Sequence, residues 1–104
     1  MKWIELIRVR SSAAALRDAM PALQDRIAEL EQSATGAEIF FMRHALYDGD
    51  LAVVVVWKHG GTPNKSREAL LLAERLQRLG PIDHAVWIPA EACEASCASP
   101  DQPA

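Results

Sequence analysis

The side chains with chemical potential sit at the ends of short apolar runs. His44 follows Arg43. His59 closes the triplet Trp57-Lys58-His59 just before Gly60-Gly61, and His84 follows Asp83 three residues before Trp87. A histidine can take a proton near neutral pH, hold a haem iron, or simply satisfy a buried hydrogen bond. His59 stands where a strand opens into a glycine loop, the kind of place where sites collect on rigid scaffolds. Trp57 beside it offers an apolar wall and one indole N–H donor, or plain core packing. Arg8 lies among apolar residues in "KWIELIRVR", where a charge needs a partner, water or a ligand. There it can bind an anionic substrate or steady an enolate oxygen, or it can serve in an ion pair across an interface. The candidate catalytic residues are therefore His59, His44 and Arg8. The candidate ligand-binding residues are Trp57, Tyr47 and Trp87. His84, at a strand start, reads as structural. Glu5 has the same need for a partner as Arg8, from the other side of its strand.

Other chemistries are missing from the sequence. It contains no phosphate loop, no nucleophile elbow, no H-E-x-x-H and no Cys-His pairing, and nothing suggests zinc. The two cysteines, Cys93 and Cys97, have no histidine near them and read as small residues of a tail. No cofactor is expected on these grounds. Haem stays open if one histidine faces a large cavity.

The chain has 104 residues, enough for one domain, and half of them are hydrophobic. A domain this small has a thin core, so that apolar surplus suggests surface covered by another chain. The net charge is −3 with no Lys/Arg stripe, which argues against nucleic acid as a partner. No apolar run approaches the ~20 residues that span a bilayer. The start, "MKWIELIRVR", carries charges and no signal core. No membrane partner and a cytoplasmic location are expected.

The elements that must position these groups can be read in order. Residues 2–10 read as a strand. Ser11 and Ser12 offer an N-cap. From Ala13 to about Gln32, Leu16, Met20, Leu23, Ile27 and Leu30 recur at spacings of four and three, one stripe of a helix. Pro21 lies inside the stripe and either kinks the helix or breaks it, with a kink favoured by the continuity of the stripe. Two strands, residues 38–47 and 51–58, flank Asp48-Gly49, which suggests a two-residue type I′ turn. Ser66 or Asn64 caps a second helix running to Leu79, whose stripe is Ala69, Leu72, Ala73, Leu76 and Leu79. Gly80 and Pro81 end it. Residues 83–90 are the last strand. Residues 91–104 read as a flexible tail, leaving 1–90 as the domain.

The order β-α-β-β-α-β is the α+β, ferredoxin-like arrangement: a four-stranded antiparallel sheet, first and third strands central, both helices on one face. The central strand "LAVVVVWK" is apolar on both sides. A sheet with one face in water should alternate instead. Helices cover one face only, so a second copy of the sheet is expected on the other, giving a homodimer.

This order, the two-sided sheet and the pattern "VVVVWKH…SREALLLAERLQRLGPIDHAVWI" resemble the dimeric α/β-barrel superfamily, in its antibiotic-biosynthesis-monooxygenase-like branch, over residues 2–90. The resemblance implies a ligand cavity between sheet and helices or inside the barrel. Members include cofactor-independent oxygenases, haem-degrading and chlorite-decomposing haem enzymes, lactone isomerases and proteins without known activity. No family catalytic motif carries over onto particular residues. Three functions follow as expectations. One is a small-molecule-binding, monooxygenase-like domain acting by cofactor-free oxidation or isomerisation on an aromatic or polyketide-like compound. Another is a non-catalytic dimeric interaction protein, and the third a haem-binding protein.

Overall fold

The structure, a computed structural model, describes residues 2–33, 36–58 and 62–90. The expectations for His59, for Cys93 and Cys97 and for the tail at 91–104 lie outside the described residues. The elements run β1 (Trp3–Arg10), α1 (Ala13–Ser33), β2 (Ala37–Arg43), β3 (Asp50–Trp57), α2 (Arg67–Leu76) and β4 (Ile82–Trp87). They form one antiparallel sheet in the order β2-β3-β1-β4. This is the ferredoxin-like α+β arrangement expected from the sequence, with β1 and β3 central.

The alternation of each strand sorts its side chains between two environments. Ile7 and Val9 of β1 and Leu51 and Val53 of β3 are buried in one cluster with Leu16, Leu23, Ile27 and Leu30 of α1 and Ala69, Leu72, Ala73 and Leu76 of α2. Both helical stripes therefore face the same side of the sheet. The other side carries Ile4 and Leu6, Phe40 and Met42, Val54 and Val56, and Ala85 and Trp87. Of these, Phe40, Met42 and Trp87 are 46%, 56% and 57% exposed. The valine run thus serves two faces: Val53 and Val55 close the core, while Val54 and Val56 lie half-buried on the open side.

The helix ends follow capping chemistry. Ser12 Oγ accepts from Ala15 N–H, and Ser66 Oγ accepts from Ala69 N–H. Between these caps α1 continues through Pro21 without a break. At Pro21 the ring removes one backbone donor, and the buried residues on both sides of it hold the helix together. Gly36, after α1, takes φ 86°, a left-handed turn that glycine allows, and its carbonyl accepts from Lys58 N–H at 3.1 Å.

Two turns differ from the sequence expectation. The Asp48-Gly49 turn exists, closed by Asp50 N–H to Tyr47 O at 3.1 Å. Neither residue has positive φ, so the turn is not type I′. β2 ends at Arg43 rather than at Tyr47, because His44 Nδ1 accepts from Leu46 N–H and Tyr47 N–H and turns the chain out of the ladder. Gly49 is required for a different reason: Ser11 N–H donates to its carbonyl at 2.8 Å, and a Cβ there would lie 2.2 Å from Ser11 O. Similarly, α2 ends at Leu76 with Gln77 as C-cap, and Gly80 does not take the left-handed form. A Cβ on Gly80 would lie 1.9 Å from Arg10 O. Gly80→Ala must push that backbone away from β1, and we expect it to lower stability by about 1–3 kcal/mol. Urea denaturation checks this as a fall in midpoint at unchanged slope.

Candidate functional site

Two groupings of polar side chains stand out, on opposite faces of the sheet. The first is built on Glu5. Strand alternation sends it to the helix-covered face between Trp3 and Ile7, and it is fully buried. Three donors converge on its two oxygens. Trp57 Nε1–H donates to Oε2 at 2.8 Å, while Ser66 N–H and His84 Nε2 reach Oε1, each at 2.9 Å. Each donor comes from a different part of the chain. Trp57 ends β3, Ser66 caps α2, and His84 lies in β4, diagonal to Glu5 because Ile7 pairs with His84 and Glu5 with Val86. The carboxylate also sits at the N-terminus of α2, where the helix dipole favours negative charge.

This arrangement fixes the tautomer of His84. The carboxylate accepts, so Nε2 carries the proton and Nδ1 is the acceptor nitrogen of the neutral ring. An imidazole held this way is oriented to take a proton at Nδ1, with the carboxylate stabilising the cation that results. Trp57 stacks on Trp3 with centroids 5.6 Å apart and planes 21° from parallel, a flat apolar wall beside the dyad. Trp3 Nε1 is buried without a hydrogen-bond partner among the described residues.

The second grouping lines a groove of about 570 Å³ across the strand ends of the open face. Arg8, Arg10, Met42, Arg43, His44 and Asp83 contribute to its walls. His44 Nδ1 already accepts two backbone N–H groups, so Nε2 carries the ring proton and acts as a donor. The ring packs against Tyr47 with centroids 4.8 Å apart.

The candidates named from sequence are therefore divided. Arg8 and His44 share the groove, with Tyr47 against His44 on the hairpin. Trp57 belongs to the Glu5 cluster. Trp87 is exposed on the open face, away from both. Glu5 carried a visible signal, a charge at an inward position of a central strand. His84 carried none, because its partner is set by the β1–β4 register. No group of three or more His, Cys, Asp or Glu among the described residues is placed to hold a metal ion. No helix among them is long and apolar enough to cross a membrane.

No family model and no curated protein matches the chain. Solved structures do. A Caulobacter crescentus protein provisionally assigned as an antibiotic biosynthesis monooxygenase superposes with a TM-score of 0.63 at 13% identity, over 86% of this chain and 91% of that one. Rv0793 from Mycobacterium tuberculosis gives 0.60 at 17% identity, over 88% and 97%. SnoaB, a cofactor-independent oxygenase from Streptomyces nogalater, gives 0.54 at 14%, over 86% and 94%. At these identities the likeness is one of architecture: the chain has the ferredoxin-like fold shared by antibiotic-biosynthesis-monooxygenase-like proteins.

Proposed function

We propose that the protein is a homodimeric, monooxygenase-like domain that oxidises an aromatic, polyketide-like compound without a cofactor at the Glu5–His84–Trp57 cluster. The observation that carries this reading is the buried carboxylate holding His84 by Nε2 beside a stacked tryptophan pair. The shared fold with SnoaB supports the reaction class.

The chemistry needs only this chain's residues, the substrate and oxygen. His84 Nδ1 removes a proton from an activated methylene flanked by aromatic rings. The carbanion passes its electrons to O2, a C–O bond forms, and the proton returns to the peroxide. Loss of the second proton with O–O cleavage releases water and leaves a carbonyl, so CH2 plus O2 becomes C=O plus H2O. Trp57, half-buried and backed by Trp3, gives the flat substrate a stacking surface.

The test is oxygen uptake with 1,8-dihydroxyanthrone as probe. His84→Asn is expected to lower kcat by ~100-fold, the scale of a lost general base. Unchanged uptake in that variant overturns the catalytic reading. Saturable binding of the probe without protein-dependent oxygen uptake would instead identify a binding module.

A further inference from the structure

We infer that a groove between the start of α1 and the end of β2 is a second binding site, for a small organic monoanion: one carboxylate on a short apolar body. The groove, of about 400 Å³, is walled by Ala13, Leu16, Arg17 and Met20 of α1, by Arg43 and by Asp48 of the following turn. It lies on the helix-covered side of the sheet, at the β2 edge. The register explains this. Arg43 pairs with Leu51, which belongs to the core beneath the helices, so Arg43 follows Ile39 and Phe41 onto that side. A second copy on the open face leaves this groove free. The Glu5 cluster is also remote from it: Arg43 stands opposite Leu51 at one end of β3, and Glu5 opposite Val55 towards the other.

The charges in this groove do not cancel. Arg17 and Arg43 face one acid, Asp48, and among the described residues none of the three takes part in an ion pair. Asp18 follows Arg17 in sequence, but one helical step turns it about 100° further round α1, onto the outer side. Two guanidinium groups and one carboxylate leave one net positive charge. A planar guanidinium grips a carboxylate through two parallel N–H bonds. Asp48 repels any second negative charge, which selects a monoanion over a phosphate dianion.

The helix wall selects the rest of the molecule. Leu16 and Met20 stand one turn apart on α1 and give the groove an apolar side, and the thioether of Met20 suits an aromatic ring. The walls are tied to each other. Ser11 N–H, just before α1, donates to Gly49 O at 2.8 Å, and His44 Nδ1 holds the Leu46 and Tyr47 amides. The turn that bears Asp48 is therefore fixed against the start of α1, and the groove exists before a ligand enters. An inorganic anion would leave the apolar side bare, and a neutral alcohol would leave the arginines without a counter-charge.

The experiment is a titration of the ¹⁵N-labelled full chain with benzoate, read by amide chemical shifts at constant ionic strength, with benzyl alcohol and inorganic phosphate as comparators. Benzoate is expected to bind saturably with shifts centred on Ala13, Arg17, Arg43 and Asp48, and both comparators at least about tenfold more weakly. Arg17→Gln and Arg43→Gln are each expected to weaken benzoate by at least about fivefold. Asp48→Asn is expected to strengthen it by about two- to fivefold, because the repelling charge is gone. All three side chains are exposed, so thermal unfolding of the variants should stay near that of the parent. His84→Asn should leave benzoate affinity unchanged, which separates this site from the proposed oxidation. Unchanged affinity in both arginine variants, equal affinity for benzyl alcohol, or shifts centred elsewhere overturn the site. Weaker binding in Asp48→Asn overturns the selection of a monoanion.

Discussion

Glu5→Ala is expected to lower the free energy of unfolding by about 4 kcal/mol. The reason is what the carboxylate leaves behind. Trp57 Nε1–H, Ser66 N–H and His84 Nε2–H all end on it, and each donor stranded away from water costs roughly 1–3 kcal/mol. Trp57 is half-buried and recovers some hydration, which keeps the sum below the upper bound. The loss is also architectural. Glu5 is the point at which β1, the end of β3, the cap of α2 and β4 are tied together. Urea denaturation measures the change, and the Trp57 emission should shift in the folded state as its indole loses a charged acceptor. Glu5→Gln separates the contributions. The amide keeps the volume and one acceptor oxygen but turns an NH2 group toward a donor, so about half the loss is expected to remain. A cost below about 1 kcal/mol for Glu5→Ala would mean that the three donors find water easily, and that the cluster is no anchor.

How far the sequence led is clearest at particular residues. Leu16, Leu23, Ile27 and Leu30 marked one helix face, and all four are buried. Their spacing is a direct imprint of the helical period, so it survives without knowledge of the partner surface. The paired faces of β3 were equally visible, because alternation is local. Asp48-Gly49 marked a turn but not its type. The type depends on His44 capping Leu46 and Tyr47 and on Ser11 pressing against Gly49, contacts distant in the chain or carried by a side chain. Gly80 was likewise legible as a stop, while its physical need is the backbone of Arg10. The candidate site shows the same limit. Glu5 could be seen to need a partner, and Trp57 to stand near a site. That His84 meets Glu5 follows only from a strand register that joins positions 79 residues apart. Arg8 and His44, read separately, are neighbours in space because β1 and β2 both end at the same edge of the groove.

The proposed homodimer, for its part, makes a prediction that the core does not share. Ile4, Leu6, Phe40, Met42, Val54, Val56 and Trp87 form one side of a sheet whose helices all lie on the other. A patch of this size is more than a soluble monomer usually leaves in water, and a second copy of the sheet presents the same apolar centre in return. We expect the protein to sediment as a dimer at low micromolar concentration. Val54→Asp places a carboxylate in the middle of the face. In a two-fold pairing each new charge is desolvated, and the pair of them is brought close together, so the dimer constant should weaken by ~1000-fold or more, equivalent to about 4 kcal/mol. The folded monomer should survive, because Val54 points away from the cluster that packs α1 and α2, and its far-ultraviolet circular dichroism should match the parent. Val54→Thr, nearly the same shape with one hydroxyl, should weaken the dimer far less. A parent that sediments as a monomer at every accessible concentration would remove the second copy as the cover of this face. The valine run would then have to be explained by a partner of another kind, with the arginine-rimmed groove at its edge as the first place to look for it.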